Sequence, residues 1–132
     1  MKKFILQLLF LIFFFSACFC PKKSHTSQTG EILIEDIAKS KFQDKYKIVY
    51  NSTKEFALVT KRYKKLTEPI PNLMFFVVSK ADMKQVFSDT LIAGDVYWLN
   101  KYAIRATERE QKAESSRRIY TYDIKLKEFI LD

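Results

Sequence analysis

At Tyr46 the apolar periodicity of the chain switches from that of a helix to that of a strand, and the second period then runs almost to the C-terminus. In residues 31–45 (EILIEDIAKSKFQDK), Leu33, Ile34, Ile37, Ala38 and Phe42 recur at spacings of three and four. That spacing gathers them on one side of a helix and predicts roughly two or three turns. A strand over 32–34 competes with this reading, because β-branched residues cluster there. From Tyr46 onward alternate residues are apolar, the repeat of an extended chain with one covered face.

About seven segments carry this repeat. Residues 46–51 place Tyr46, Ile48 and Tyr50 on one face, and residues 55–62 oppose Phe56, Leu58 and Thr60 to Ala57, Val59 and Lys61. Residues 72–80 (NLMFFVVSK) are apolar on both faces, which places them in the middle of a sheet. Residues 85–92, 95–100, 102–107 and 119–127 complete the set, and 129–131 read as a short apolar tail. Turn-forming residues separate the segments, and at Ala93-Gly94-Asp95 the glycine is expected to supply a positive φ. Pro69 and Pro71 keep the 63–72 connection out of a central ladder. Short antiparallel connections predict a mainly β (α+β) fold. One N-terminal helix would precede an antiparallel meander, arranged as a small barrel or as a sheet like a propeller fragment.

A different kind of segment stands ahead of the helix. Lys2 and Lys3 precede an apolar run from Phe4 to Phe15, interrupted at Gln7, and the small residues Ser16 and Ala17 precede Cys18. This is the layout of an export signal. The 16 residues from Phe4 to Phe19 fall short of a spanning helix, which needs about 20. Phe15-Ser16-Ala17-Cys18 resembles the lipobox of bacterial lipoproteins, with Phe15 where that pattern usually has Leu. The resemblance implies that residues 1–17 are removed as a signal peptide. Cys18 would then become a diacylglyceryl cysteine whose amine carries a further acyl chain such as palmitate. Several acyl chains hold a protein firmly to a bilayer, so the expected place is the cell envelope. The lipid would sit in the inner or outer membrane, with the domain facing the periplasm or the cell surface. Soluble secretion after cleavage at Cys18 and an uncleaved membrane anchor are the competing fates. The strand-and-turn texture of 75–107 is similar to that of small uncharacterised envelope lipoproteins of Gram-negative bacteria, and implies no activity. Residues 21–30 (PKKSHTSQTG) are polar and without period, so 18–30 is expected to be a flexible tether and 31–132 a single β-rich domain.

Composition then removes function classes. His25 is the one histidine and lies in the tether, where no scaffold holds it beside a nucleophile. The two cysteines are Cys18 and Cys20, so the domain has neither an internal disulfide nor the ligands of a common zinc site. No enzyme activity, cofactor or metal is expected. Asp82, Asp89 and Asp95 fall at predicted turns. A carboxylate pair could hydrolyse glycosides or hold calcium, whereas ordinary turn chemistry accounts for each aspartate singly. The net charge is +8, to which Lys2 and Lys3 contribute. A basic anchored protein is drawn to anionic head groups and polyanions and repelled by basic partners.

Two candidate contact sites remain. Lys61, Arg62, Tyr63, Lys64 and Lys65 form the densest charge cluster. It is either a grip for lipid phosphate, lipopolysaccharide or another polyanion, or a solvated strand end that protects an edge. Tyr97 and Trp98 point to opposite faces of one strand. Val96 accompanies Trp98, so Trp98 is assigned to the core and Tyr97 to a surface aromatic contact. Arg105, Arg109, Arg117 and Arg118 bracket a loop with Glu108, Glu110 and Glu114, a mixed-sign pattern that suits solvent exposure. The expectation is a non-enzymatic envelope lipoprotein, a tethered domain that binds or scaffolds another envelope component, with an envelope protein as partner. The alternative is a basic binder of anionic lipid, lipopolysaccharide or other polyanion through residues 61–65. Nucleic acid is not expected for an exported, anchored chain.

Overall fold

Helix α1 spans Thr26–Phe42. The structure, a computed structural model, describes residues 26–67, 69–109 and 118–130. The leader with Cys18, the tether as far as His25, and the loop residues 110–117 with Arg117 lie outside the described residues. Ile34, Ala38 and Phe42 are buried at a spacing of four, with Ile37 packed beside them, so 32–34 is helix and not strand. Leu33 stays exposed, because one residue on from the buried stripe a helix has already turned by about 100°. The helix starts at Thr26 instead of Glu31, so the last part of the expected tether is structured. Gly30 is buried there, close enough to Lys80 that a Cβ would stand 2.7 Å from its Cε. At the other end Gln43 takes φ 63° and donates its N–H to Lys39 O at 2.8 Å, a left-handed helix stop.

Strands β1 (Tyr46–Tyr50), β2 (Phe56–Tyr63), β3 (Asn72–Ser79) and β4 (Gln85–Leu91) form one antiparallel sheet in chain order. Strands β5 (Asp95–Trp98), β6 (Ala103–Thr107), β7 (Ile119–Asp123) and β8 (Glu128–Ile130) form a second. The fold is mainly β, but the single seven-strand meander and the small barrel are corrected. The described strands number eight, in two four-stranded sheets that are not closed into a barrel.

The meander breaks at Ile92-Ala93-Gly94, where the chain passes from one sheet to the other. The positive φ expected of Gly94 belongs to Ala93, at 52°. Glycine is required at 94 for a different reason. A Cβ there would lie 2.6 Å from Thr107 O and 2.7 Å from Leu91 Cβ. Phe129 and Ile130 of the expected tail are likewise in strand β8, and Leu131 lies outside the described residues. Asp123 Oδ1 accepts the N–H groups of Lys125 and Leu126 at 2.8 and 2.9 Å, and Lys127 takes φ 57°. This closes a hairpin without Gly or Pro, ends the preceding strand at Asp123, and pairs Tyr122 with Phe129.

Strand β3 is apolar on both faces because both faces are covered. Leu73, Phe75 and Val77 join Leu58, Leu91, Ile104, Ala106, Tyr122 and Ile124 between the sheets. Phe76 and Val78 join Ala57 and Val59 under α1. The layers are therefore helix, sheet, sheet. Between β4 and β8 the inter-sheet space is filled by rings, with Phe87 stacked on Tyr122 at 4.0 Å and Tyr120 edge-on to Phe129 at 5.4 Å. Buried Asn51 ties the β1–β2 turn to the β5–β6 turn. Its Nδ2 donates to Lys101 O at 2.6 Å, and its Oδ1 accepts Phe56 N–H at 3.1 Å.

Candidate functional site

The face that β2 turns toward the second sheet begins apolar, with Phe56 and Leu58, and becomes polar at Thr60 and Arg62. A strand face that loses its apolar character halfway is one that the opposing sheet covers only halfway. There, between β1 and β2 on one side and β5 on the other, lies a cleft of about 520 Å³. The register sets Lys47 beside Thr60 and Val49 beside Leu58 on its first wall. Val96 and Trp98 form the second wall, and Leu58 and Leu73 its floor. Trp98 packs against the inter-sheet core, and its Nε1–H donates to Val49 O at 2.9 Å, a bond that links the sheets and fixes the indole. Tyr97 borders the cleft from the opposite face of β5, the side of Arg105, and is 50 % exposed.

Arg62 and Asp95 close one end. Arg62 Nη1 donates to Gly94 O at 3.1 Å, and its Nη2 donates to Asp95 Oδ1. Arg109 Nη2 holds the other carboxylate oxygen at 3.1 Å. Burial pushes the Asp95 carboxyl up, but hydrogen bonds from Arg109 and Arg62, with their charges, outweigh it and hold it below the usual range. The stabilisation from this depressed group is therefore complete above about pH 4, the unfolded aspartate value, and is lost as pH falls through the folded one. Urea midpoints measured from pH 7 down to pH 3 should drop below about pH 4. Asp95→Asn should remove part of that drop, and an unchanged pH profile in the variant would count against the clamp.

The run 61–65 does not assemble as one patch. Strand alternation sends Lys61 and Arg62 to opposite faces. Lys61 donates to Phe42 O at the end of α1 and pairs with Asp44 at 3.3 Å, while Arg62 is held in the cleft. Tyr63 is half-buried, and Lys64 and Lys65 are exposed beyond the strand. The candidate carboxylates are also dispersed. Asp82 accepts Lys84 N–H within its turn at 3.3 Å. Asp89 accepts from Arg118 at 2.8 Å and from the Tyr120 hydroxyl. Burial first, then the bond to Asp89 and its charge, push that hydroxyl far above the ordinary tyrosine range. Asp95 is clamped by its two arginines. Among the described residues no three His, Cys, Asp or Glu side chains gather as metal ligands.

At the base of the 108–116 loop Glu108 pairs with Arg118, while Arg109 turns to Asp95. Glu108 accepts Ile92 N–H at 3.0 Å and lies 3.6 Å from Arg118, while Arg105 donates to Thr121 Oγ1 at 3.3 Å. Sequence patterning does not single out Lys47 or Thr60. The signal for them is the break in apolar alternation along β2, which looks like an ordinary strand end until the opposing sheet is in place. Among the described residues no helix is long and apolar enough to cross a membrane. No protein-family profile matches the chain, and neither a curated protein nor a solved structure matches it.

Proposed function

We propose that the chain is a non-enzymatic envelope lipoprotein, anchored through acylated Cys18, whose β-rich domain binds or scaffolds another envelope component. The observation that carries the binding role is the cleft. Its walls hold donors and the Trp98 indole, and the carboxylate within it, Asp95, is engaged by two arginines. A carboxylate fixed in that way is poorly placed to act as a general base. The Phe15-Ser16-Ala17-Cys18 sequence supports the anchor. With α1 starting at Thr26, the eight peptide links from Cys18 span at most about 28 Å, so an acylated domain stays close to its bilayer.

The alternative, a polyanion grip through residues 61–65, has less support, because Lys61 and Arg62 are drawn to opposite faces and only Lys64 and Lys65 stand exposed together.

Intact mass of the protein from a membrane fraction tests the anchor. The expected mass is that of a chain beginning at Cys18 with acyl groups added, lost in Cys18→Ser. An unmodified chain in the soluble fraction would remove the lipoprotein reading. A photo-crosslinking residue at position 97, used in intact cells, tests the binding role. It should yield a limited set of envelope adducts, and capture of abundant bystanders alone would count against it.

A further inference from the structure

We propose that the cleft between β1, β2 and β5 receives a saccharide carrying an anionic group, either a carboxylate or a phosphate; this names the ligand class of the binding site proposed above and rests on that reading. One wall is a row of donors. Lys47 and Thr60 are cross-strand neighbours, and Arg62 follows Thr60 on the same face of β2. Lys47 makes no ion pair among the described residues. Arg62 is anchored by two bonds, to Gly94 O and Asp95, which fix its guanidinium while leaving other N–H donors of its five. With Arg109 sharing Asp95, the charges around the cleft sum to an excess of cation. An oxyanion set against this row would gain charge-assisted hydrogen bonds.

The remaining surfaces suit a sugar ring better than an acyl chain. The Trp98 indole lines the cleft, is half-buried and is clamped by its bond to Val49 O, so its exposed part offers a sugar ring a fixed stacking surface. The floor residues Leu58 and Leu73, both members of the inter-sheet core, are 1 % and 3 % exposed, so the cleft ends on that core and does not enter it. A fatty chain finds no apolar channel there. The volume of about 520 Å³ lies within the ordinary range for small-ligand sites.

The test is calorimetric titration of the purified full chain with three probes: tetragalacturonate (carboxylate), glucosamine 6-phosphate (phosphate) and neutral cellotetraose. One of the two anionic probes is expected to bind at least roughly tenfold more tightly than cellotetraose and to weaken as salt is raised from 50 to 500 mM, on the order expected for a partly exposed ion pair. Which of the two binds identifies the anionic group. Lys47→Gln should weaken binding by about tenfold, and Thr60→Val, which removes a donor of the same row, by a factor of about 2 to 10. Both side chains line the cleft and lie outside the core clusters, so circular dichroism should confirm that the variants stay folded. The Lys64→Ala/Lys65→Ala double variant should bind as the parent does. Equal affinity for neutral and anionic probes, no binding of any probe, or loss in the Lys64/Lys65 variant with retention in Lys47→Gln would each overturn the proposal. If the probes fail while position 97 crosslinks to envelope proteins in cells, the saccharide inference falls and the binding role stands. If both fail, both readings fall.

Discussion

Replacing Phe76 by Ala is expected to destabilise the domain by about 3–5 kcal/mol and to loosen helix α1 in particular. Phe76 is 1 % exposed, and its ring lies 5.1 Å from that of Phe42 in the last turn of α1, with Lys41 Nζ 4.7 Å from its centroid. Truncation leaves a cavity directly beneath the helix. Phe75→Ala, one residue earlier, should cost a similar amount, but the cavity opens between the sheets, where Phe75 meets Phe87 at 6.0 Å. The pair separates the layers. Urea denaturation should show comparable losses for the two, while amide exchange of α1 should quicken more in Phe76→Ala. Equal exchange from α1 in both variants would mean that helix and sheets open as a single unit, and the layered account of the core would fail.

The second large effect is expected at the crossover between the sheets. Gly94→Ala should destabilise by about 1–3 kcal/mol, because the new Cβ meets a backbone oxygen, Thr107 O, that belongs to the β5–β6 pair and has little room to retreat. Ala93→Gly should be neutral or stabilising by up to about 1 kcal/mol, since it relieves a left-handed φ while raising the entropy of the unfolded chain. Thermal melts of the two variants should therefore move in opposite directions or leave Ala93→Gly unmoved. A Gly94→Ala protein as stable as the parent would show that the backbone at the crossover does not pass Thr107 O and Leu91 as closely as described.

The elements of this fold were largely legible in the chain, and the arrangement of the sheets was not. The change of period at Tyr46 locates β1, and the doubly apolar run of β3 announces a strand covered on both faces. The division into two sheets left no comparable trace. Residues 92–94 have the composition of an ordinary hairpin turn, and the parting of β5 from β4 shows only in the pairing, where Asp95 faces Thr107 of β6 and no residue of β4. The last hairpin was hidden for a local reason, because its turn depends on the Asp123 side chain and a left-handed Lys127 instead of on glycine. The candidate site was half legible. Tyr97 and Trp98 stood out as an aromatic pair, and the 50 % exposure of Tyr97 beside a core-packed Trp98 follows from strand alternation. The charge run drew attention to 61–65 as a unit, although alternation along β2 separates Lys61 from Arg62. Lys47, isolated between Tyr46 and Ile48, acquires meaning only from the neighbours that β2 and β5 bring to it.

The strand order has a kinetic consequence. In each sheet every strand pairs only with its neighbours in sequence, so all eight can form by successive hairpin closure. Hairpins form in roughly microseconds, and the entropy of closing short loops is small. The slow events are then few: stacking one completed meander on the other, and seating α1 against the first. Such a domain belongs toward the fast end of all-β folding, where sequence-distant pairings are fewest. A chain delivered across a membrane from its N-terminus would have the partner strands of α1 in hand before the second sheet arrived, and could complete its native state with little time spent exposing unpaired edges.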